Sequence, residues 1–228
     1  MASCLGTPLF SMNHNSAPAQ LKVSKSPPTL KRGTPDWDHF EATFLFASGS
    51  SQLDRAQAIA HAAHAGQTDQ VGDAYINHVR GVVELTSRLD RFQRLGLEDQ
   101  DIALQSAWLH DTLEDTALKA ADLLRAGFDP RVIETVEALS NQPDETRDAY
   151  YQRIVQTGAL ALCVKLGDLS HNTLPERRES LPGSPSNPLQ PEQVGNPEFD
   201  RWTKLGRKYH AAYKALGEAV PKHLQPFG

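Results

Sequence analysis

Residues 99–115 read DQDIALQSAWLHDTLED, and the fold turns on how this stretch is taken. Ile102, Ala103, Ala107, Leu109 and Leu113 recur at three- and four-residue steps, the spacing of one helix face. The spacing predicts a helix from about Asp99 to Glu114. The same grain extends on both sides. Ser51 can cap a helix that carries Leu53, Ala56, Ile59, Ala60 and Ala63 on one face and stops at Gly66. A second starts near Tyr75 and runs through Ile76, Val79, Val82, Val83 and Leu89. Shorter ones are expected over about Leu118–Ala126, Pro130–Ser140 and Asp144–Gln156. Ala159 to Asn172 begins with strand-like alternation but has no partner strand in sight, so it too reads as helical. Phe199, Trp202, Leu205, Tyr209, Tyr213 and Leu216 form an aromatic and apolar stripe on a last helix. The expected body is all-α, a helical bundle.

Proline marks the edges of that body. Of 15 prolines, five fall in residues 1–35 and five between Pro182 and Pro197, which excludes regular structure there. Residues 1–50 read as an N-terminal extension, largely disordered, with a short helix possible near 36–46; residues 51–220 read as the domain, with a Pro-rich loop at 181–197. The first 35 residues hold no Asp or Glu, a faint likeness to a transit peptide, but lack an amphipathic Arg pattern.

With 228 residues and a formal net charge of −5, the chain argues against a nucleic-acid partner, which calls for a basic face. Its longest apolar run, Ala159 to Val164, is far short of a membrane span. The two cysteines, Cys4 and Cys163, make no disulfide framework, and a reducing, cytoplasmic setting is expected. Cys163, between Leu162 and Val164, reads as a small buried hydrophobe. A small phosphorylated ligand remains compatible with this balance.

The chemistry sits at the end of the opening stretch. On a continuous helix His110 and Glu114 lie within about 40° of each other, as do Asp111 and Asp115. Clustered acids repel unless something positive lies among them. A divalent cation such as Mn²⁺, Fe²⁺ or Zn²⁺ suits imidazole and carboxylate donors; the plainer explanation is an acidic helix end with a surface histidine. Two adjacent ligands cannot complete a shell. His78, near the start of an apolar helix, and Asp168, after Val164-Lys165-Leu166-Gly167, are candidates, although each alone also reads as a satisfied core histidine or a helix-end acid.

Four fragments occur in order: Ala63-His64-Ala65-Gly66-Gln67, Gly72 to His78, Trp108 to Thr116 with its HDxxED form, and Val164 to Asn172. Together they resemble the HD-domain hydrolases of the RelA/SpoT type, in particular the small alarmone hydrolases that remove the 3′-pyrophosphate of (p)ppGpp. The likeness spans about residues 51–175. It implies an HD-domain helical bundle in which His78, His110, Asp111 and Asp168 hold one Mn²⁺. It also implies that Glu114 and Asp115 orient or deprotonate the attacking water, and that Tyr75 and Asn172 line a nucleotide pocket. His64 matches a family histidine near the site.

The chain departs from that pattern at Thr68-Asp69-Gln70-Val71, where many relatives carry cations, and at Ala74, Val79 and Gly167. Lys165, Arg177, Arg178 or the C-terminal basic residues could supply the missing positive charge. The expected activity is therefore metal-dependent hydrolysis of a phosphorylated nucleotide, with (p)ppGpp first. Another nucleotide, such as a nucleoside monophosphate or an NADP(H)-like molecule, is the alternative substrate, and a non-catalytic nucleotide-binding module is the alternative class.

Overall fold

Local capping decides where most helices begin. A computed structural model describes residues 30–46, 49–69, 72–196 and 199–228. Thr34 accepts from the Trp37 N–H and Pro35 supplies the fixed first φ, opening α1 (Pro35–Phe40), which continues into a wider π-type turn, Glu41–Leu45. Ser51 accepts from the Asp54 N–H to open α2 (Gln52–Ala63). Then follow α3 (Tyr75–Ser87), α4 (Asp90–Gln93), α5 (Leu97–Leu109), α6 (Thr112–Asp115) and α7 (Ala120–Arg125). Asp129, Thr146 and Asp200 cap α8 (Pro130–Leu139), α9 (Arg147–Thr157) and the last long helix. Between those last two lie α10 (Ala159–Asn172) and α11 (Pro175–Glu179); the last long helix is α12 (Arg201–Ala215). Short 3₁₀ turns occupy Pro191–Gln193 and Lys222–Phe227.

The fold is all-α: the described residues contain no strand, only isolated bridges between Thr68 and Ala74 and between Ser184 and Asn187. The alternating start of α10 is helical, because Leu160, Ala161, Cys163 and Val164 are covered on several sides rather than on one sheet face. No helix is long and apolar enough to cross a membrane among the described residues.

Three helices make the centre. α3 packs along α10 and against α5, and α5 also contacts α10. On one side, α2, α7 and α8 close over Ile59, Leu109, Leu123 and Val132; on the other, α9 and α12 close over Ile154, Val164, Ala212 and Tyr213. Gly167 explains how close α10 comes to α3. A β-carbon there would stand 2.0 Å from Thr86 Oγ1 and 3.0 Å from the Val82 carbonyl, so the helices meet at this distance only without a side chain.

Several boundaries differ from the periodicity. The helix expected over Asp99–Glu114 breaks after Leu109. His110 Nδ1 lies 2.8 Å from the Ala107 carbonyl and Thr112 Oγ1 donates to the Leu109 carbonyl at 2.6 Å, so side chains occupy acceptors that the helix backbone would have used. Leu89 lies beyond α3, which ends at its cap residue Arg88. Phe199, expected in the last apolar stripe, is 37% exposed and precedes α12.

The short helix near 36–46 is present as α1 and its π turn, and Trp37, Phe40 and Leu45 are buried in the same core as α2 and α5. Residues 1–29 and 47–48 of the expected extension, Cys4 among them, lie outside the described residues, as do residues 70–71 and 197–198. Cys163 is fully buried, and burial pushes its thiol up to about 11, which keeps it protonated and inert.

Candidate metal centre

The break in α5 builds the site. His110 is the cap residue that follows α5, and Asp111 is the N-terminal flank of α6, so the corner turns both side chains toward α3 and α10. His78 arrives from the first turn of α3 and Asp168 from α10. His110 Nε2 is 2.9 Å from Asp111 Oδ2, and His78 Nε2 is 3.7 Å from that oxygen and 3.5 Å from Asp168 Oδ1. One ligand atom each from His78, His110 and Asp111 lies within 4.8 Å of the others, a grouping able to hold a metal ion. Asp168 adjoins this trio through His78. Its carboxylate is also engaged by Lys165 Nζ at 2.8 Å and by the Asn172 amide.

Whether the donor set suits a cation can be tested on His110. Its Nδ1 faces the Ala107 carbonyl, an acceptor only, so Nδ1 carries a hydrogen. Its Nε2 is buried without a hydrogen-bond partner, although Asp111 Oδ2 is close, so the ring nitrogen does not aim along an N–H···O line at that oxygen. Two electron-rich atoms at this distance need positive charge beside them. The direction of the His110 pKa agrees: burial disfavours the charged ring, but Asp111, Asp168 and the Ala107 carbonyl together outweigh it and the value rises. A divalent ion is one source of that charge, and a proton on His110 is the other.

Neighbouring groups fix these donors. Tyr75, expected at a nucleotide pocket, donates its hydroxyl to Asp111 Oδ2; burial first, and then Asp111, drive its pKa far up, so it stays a donor. His64 packs its ring 5.0 Å from that of Tyr75 and bonds Gln67 Oε1 through Nδ1 at 2.7 Å. Burial works against charge on both Lys165 and Asp168, yet each holds the other ionised: the lysine rises well above its usual value and the carboxyl falls below its own, aided by His78.

His171 was not singled out by sequence reasoning. Its Nδ1 is 2.9 Å from His78 Nδ1. Burial, with the nearby His78 and Arg177, pushes its pKa down to about 3, so it is neutral and able to accept from His78 Nδ1–H, leaving His78 Nε2 as the donor atom. The signal was faint: a histidine three residues after Asp168, hence on the same side of the helix.

Gly81 completes this cradle, since a β-carbon there would stand 2.1 Å from His171 Cδ2. Gly81→Ala must therefore swing the His171 ring off His78. The expected result is a loss of about 10- to 100-fold in Mn²⁺ affinity, with about 1–3 kcal/mol of stability lost to overpacking. Calorimetric titration and urea unfolding measure the two, and Gly96→Ala, where nothing stands within 4 Å, is the control.

The centre lies in a cavity of about 150 Å³, bordered also by Asp69, Glu114, Asn141, Lys165, Arg177 and Lys208. Glu114 borders it but is held by Asn141, whose amide nitrogen donates at 2.9 Å and whose backbone N–H donates at 3.2 Å. Asp115 is not among the described lining residues; its backbone carbonyl accepts from Gln67, and its charge helps raise Tyr75. Of the cations that could replace the missing ones, Lys165, Arg177 and Lys208 reach the cavity. Arg178 does not. It is buried among the rings of Trp202, Tyr209 and Phe227, with one Nη donating to the Trp202 carbonyl.

No protein-family model matches this chain, and no curated protein matches it.

Proposed function

We propose that the chain is a metal-dependent phosphohydrolase acting on a phosphorylated nucleotide. One observation carries this reading: the buried, unpartnered His110 Nε2 faces Asp111 beside His78, on the wall of a cavity that three cations also border. His78, His110 and Asp111 would hold a divalent ion, Mn²⁺ first, with Fe²⁺ or Zn²⁺ compatible with the same donors, and Asp168 stands beside them. Such an ion, when bound, lowers the pKa of water and withdraws charge from a phosphoryl oxygen.

The protein's own groups do the rest. Tyr75 holds the Asp111 carboxylate in place. Lys165 offsets the Asp168 charge next to an anionic substrate. Glu114, steadied by Asn141, is positioned to orient water at the rim. Asn172 keeps Asp168 turned toward His78.

Two substrate classes fit. The ordered motifs support (p)ppGpp 3′-pyrophosphohydrolysis, the alarmone turnover of a stringent response. A nucleotide with one phosphate monoester, such as a nucleoside monophosphate or NADP(H), is favoured by the charge balance of the cavity.

The test is turnover by the pure protein with Mn²⁺ against ppGpp, pppGpp, nucleoside monophosphates and NADP(H). Activity that vanishes on chelation and returns with metal is expected. Saturable nucleotide binding without turnover under any divalent ion overturns the hydrolase reading and leaves a nucleotide-binding module.

A further inference from the structure

An ion pair outside the metal centre holds one of the cations that border the cavity already matched. Asp69, on the turn before α3, is 5% exposed, and Arg177 of α11 brings Nη2 to 2.8 Å from its Oδ2. The other Asp69 oxygen accepts from the Asp73 N–H at 3.0 Å, and the Asp69 backbone N–H donates to the Asp73 carbonyl at 2.8 Å, so this carboxylate is held in place by its own turn. Two of the cations that reach the cavity are thus already matched: Arg177 by Asp69 and Lys165 by Asp168.

The full lining carries four carboxylates, Asp69, Asp111, Glu114 and Asp168, against three cations, Lys165, Arg177 and Lys208. A divalent ion brings that total to one net positive charge. A phosphate monoester carries about −1.5 to −2 near neutral pH, which such a lining nearly balances. A diphosphate arm brings more charge into the same partly dry space, where each uncompensated unit is costly. Size agrees, because about 150 Å³ falls short of the roughly 300–1,000 Å³ of ordinary ligand pockets. It has room for one phosphoryl group with an ion and water, leaving a nucleoside at the rim.

We infer that the Asp69–Arg177 pair is the specificity element of this cavity, selecting nucleotides that place a single phosphate monoester in it over those that place a terminal diphosphate there. The inference rests on the phosphohydrolase reading above and narrows its substrate class. Water adds to phosphorus, the ester P–O bond breaks, and the departing oxygen takes a proton. The products are a nucleoside hydroxyl and orthophosphate.

The pair is tested with the full-length, Mn²⁺-loaded protein by measuring kcat/KM for GMP and for ppGpp, and equilibrium dialysis of both nucleotides. The wild type is expected to favour GMP. Asp69→Asn removes one negative charge and releases Arg177, so the ratio moves toward ppGpp by about tenfold or more, mainly through KM. Asp69→Glu restores the wild-type ratio. Arg177→Gln leaves Asp69 unneutralised and moves the ratio the other way, which keeps the inference exposed should Asp69→Asn fold poorly.

A wild-type preference for ppGpp, or a ratio that changes less than about twofold in both variants, overturns it. If neither nucleotide is turned over but dialysis still shows the charge-dependent shift, the specificity inference stands and the hydrolase reading falls. Turnover with an unmoved ratio does the reverse.

Discussion

On the proposed phosphohydrolase reading, Asp111→Ala is expected to abolish metal-dependent turnover, by about 10³-fold or more, and to remove high-affinity Mn²⁺ binding. Asp111 has the only carboxylate whose oxygen approaches both His78 Nε2 and His110 Nε2 among the described residues, at 3.7 and 2.9 Å. Without it the trio becomes two imidazoles, which offer no charge to a divalent ion. The several kcal/mol that such an ion contributes at a phosphoryl group are then forfeited, and about 4 kcal/mol corresponds to a factor near 10³. Asp111→Asn separates charge from shape. It keeps an oxygen that can accept from the Tyr75 hydroxyl, so the corner between α5 and α6 holds, while most of the electrostatic attraction is gone. Calorimetric Mn²⁺ titration and initial rates on the nucleotide panel read both variants. Asp111→Ala turnover within tenfold of wild type, still abolished by chelation, would place the ion elsewhere.

What sequence could anticipate about this centre depended on how each residue is brought there. The four expected ligands span positions 78 to 168, and nothing in periodicity says that two helix starts, a helix break and a third-turn aspartate meet at one point. Order of motifs, not spacing, suggested it. The local geometry of HDTLED was misjudged for a specific reason. A continuous helix would have stacked His110 over Glu114, but His110 and Thr112 each engage a backbone carbonyl one turn back, and the chain turns a corner. The corner, rather than helical stacking, brings Asp111 to His78 and leaves Glu114 to Asn141.

Second partners were the least legible. His171 needs Gly81 opposite it, a juxtaposition of α3 with α10 that no local window contains. Arg177 and Arg178 are neighbours on a five-residue helix, too short for a hydrophobic period, yet one reaches the cavity and the other enters an aromatic cage. By contrast, α10 was readable to the residue and α2 at its start, although α2 ends at Ala63 and not at the expected Gly66. Ser51 is a chemically explicit start signal, and the helix that opens with the apolar run Ala159 to Val164 ends at Asn172, shortly before Pro175. Elements held by their own caps and faces are written locally; a site assembled between elements is not.

Trp37→Ala costs about 3–5 kcal/mol of folding stability, the range for emptying a buried aromatic site, and so asks whether residues 30–46 belong to the domain. Composition suggested an extension, because Ser and Pro are frequent in the first 35 residues, and the three apolar anchors lie just beyond them. In the fold Trp37 is 4% exposed, packs its ring 5.4 Å from Phe40, and carries the Arg32 guanidinium 4.3 Å from its ring centre. Arg32 in turn pairs with Asp122 and donates to the Ala117 carbonyl, and Arg125 reaches Glu41, so α1 and its π turn are tied to α7. These ion pairs are partly exposed and add little by themselves; the burial of Trp37, Phe40 and Leu45 carries the attachment. Against a total stability of about 5–15 kcal/mol for a domain, and a urea slope of about 1–3 kcal/mol per molar, the midpoint should fall by roughly 1–5 M. Arg32→Ala should move it far less. Mn²⁺ affinity of the folded Trp37→Ala protein should be unchanged, since Trp37 borders neither the donor trio nor the cavity. A shift below about 0.3 M would instead make the segment an appendage whose removal the body tolerates. In that case α2, α5 and α7 would have to close their shared face without it, and the apolar surface under Trp37 would have to be stable in water.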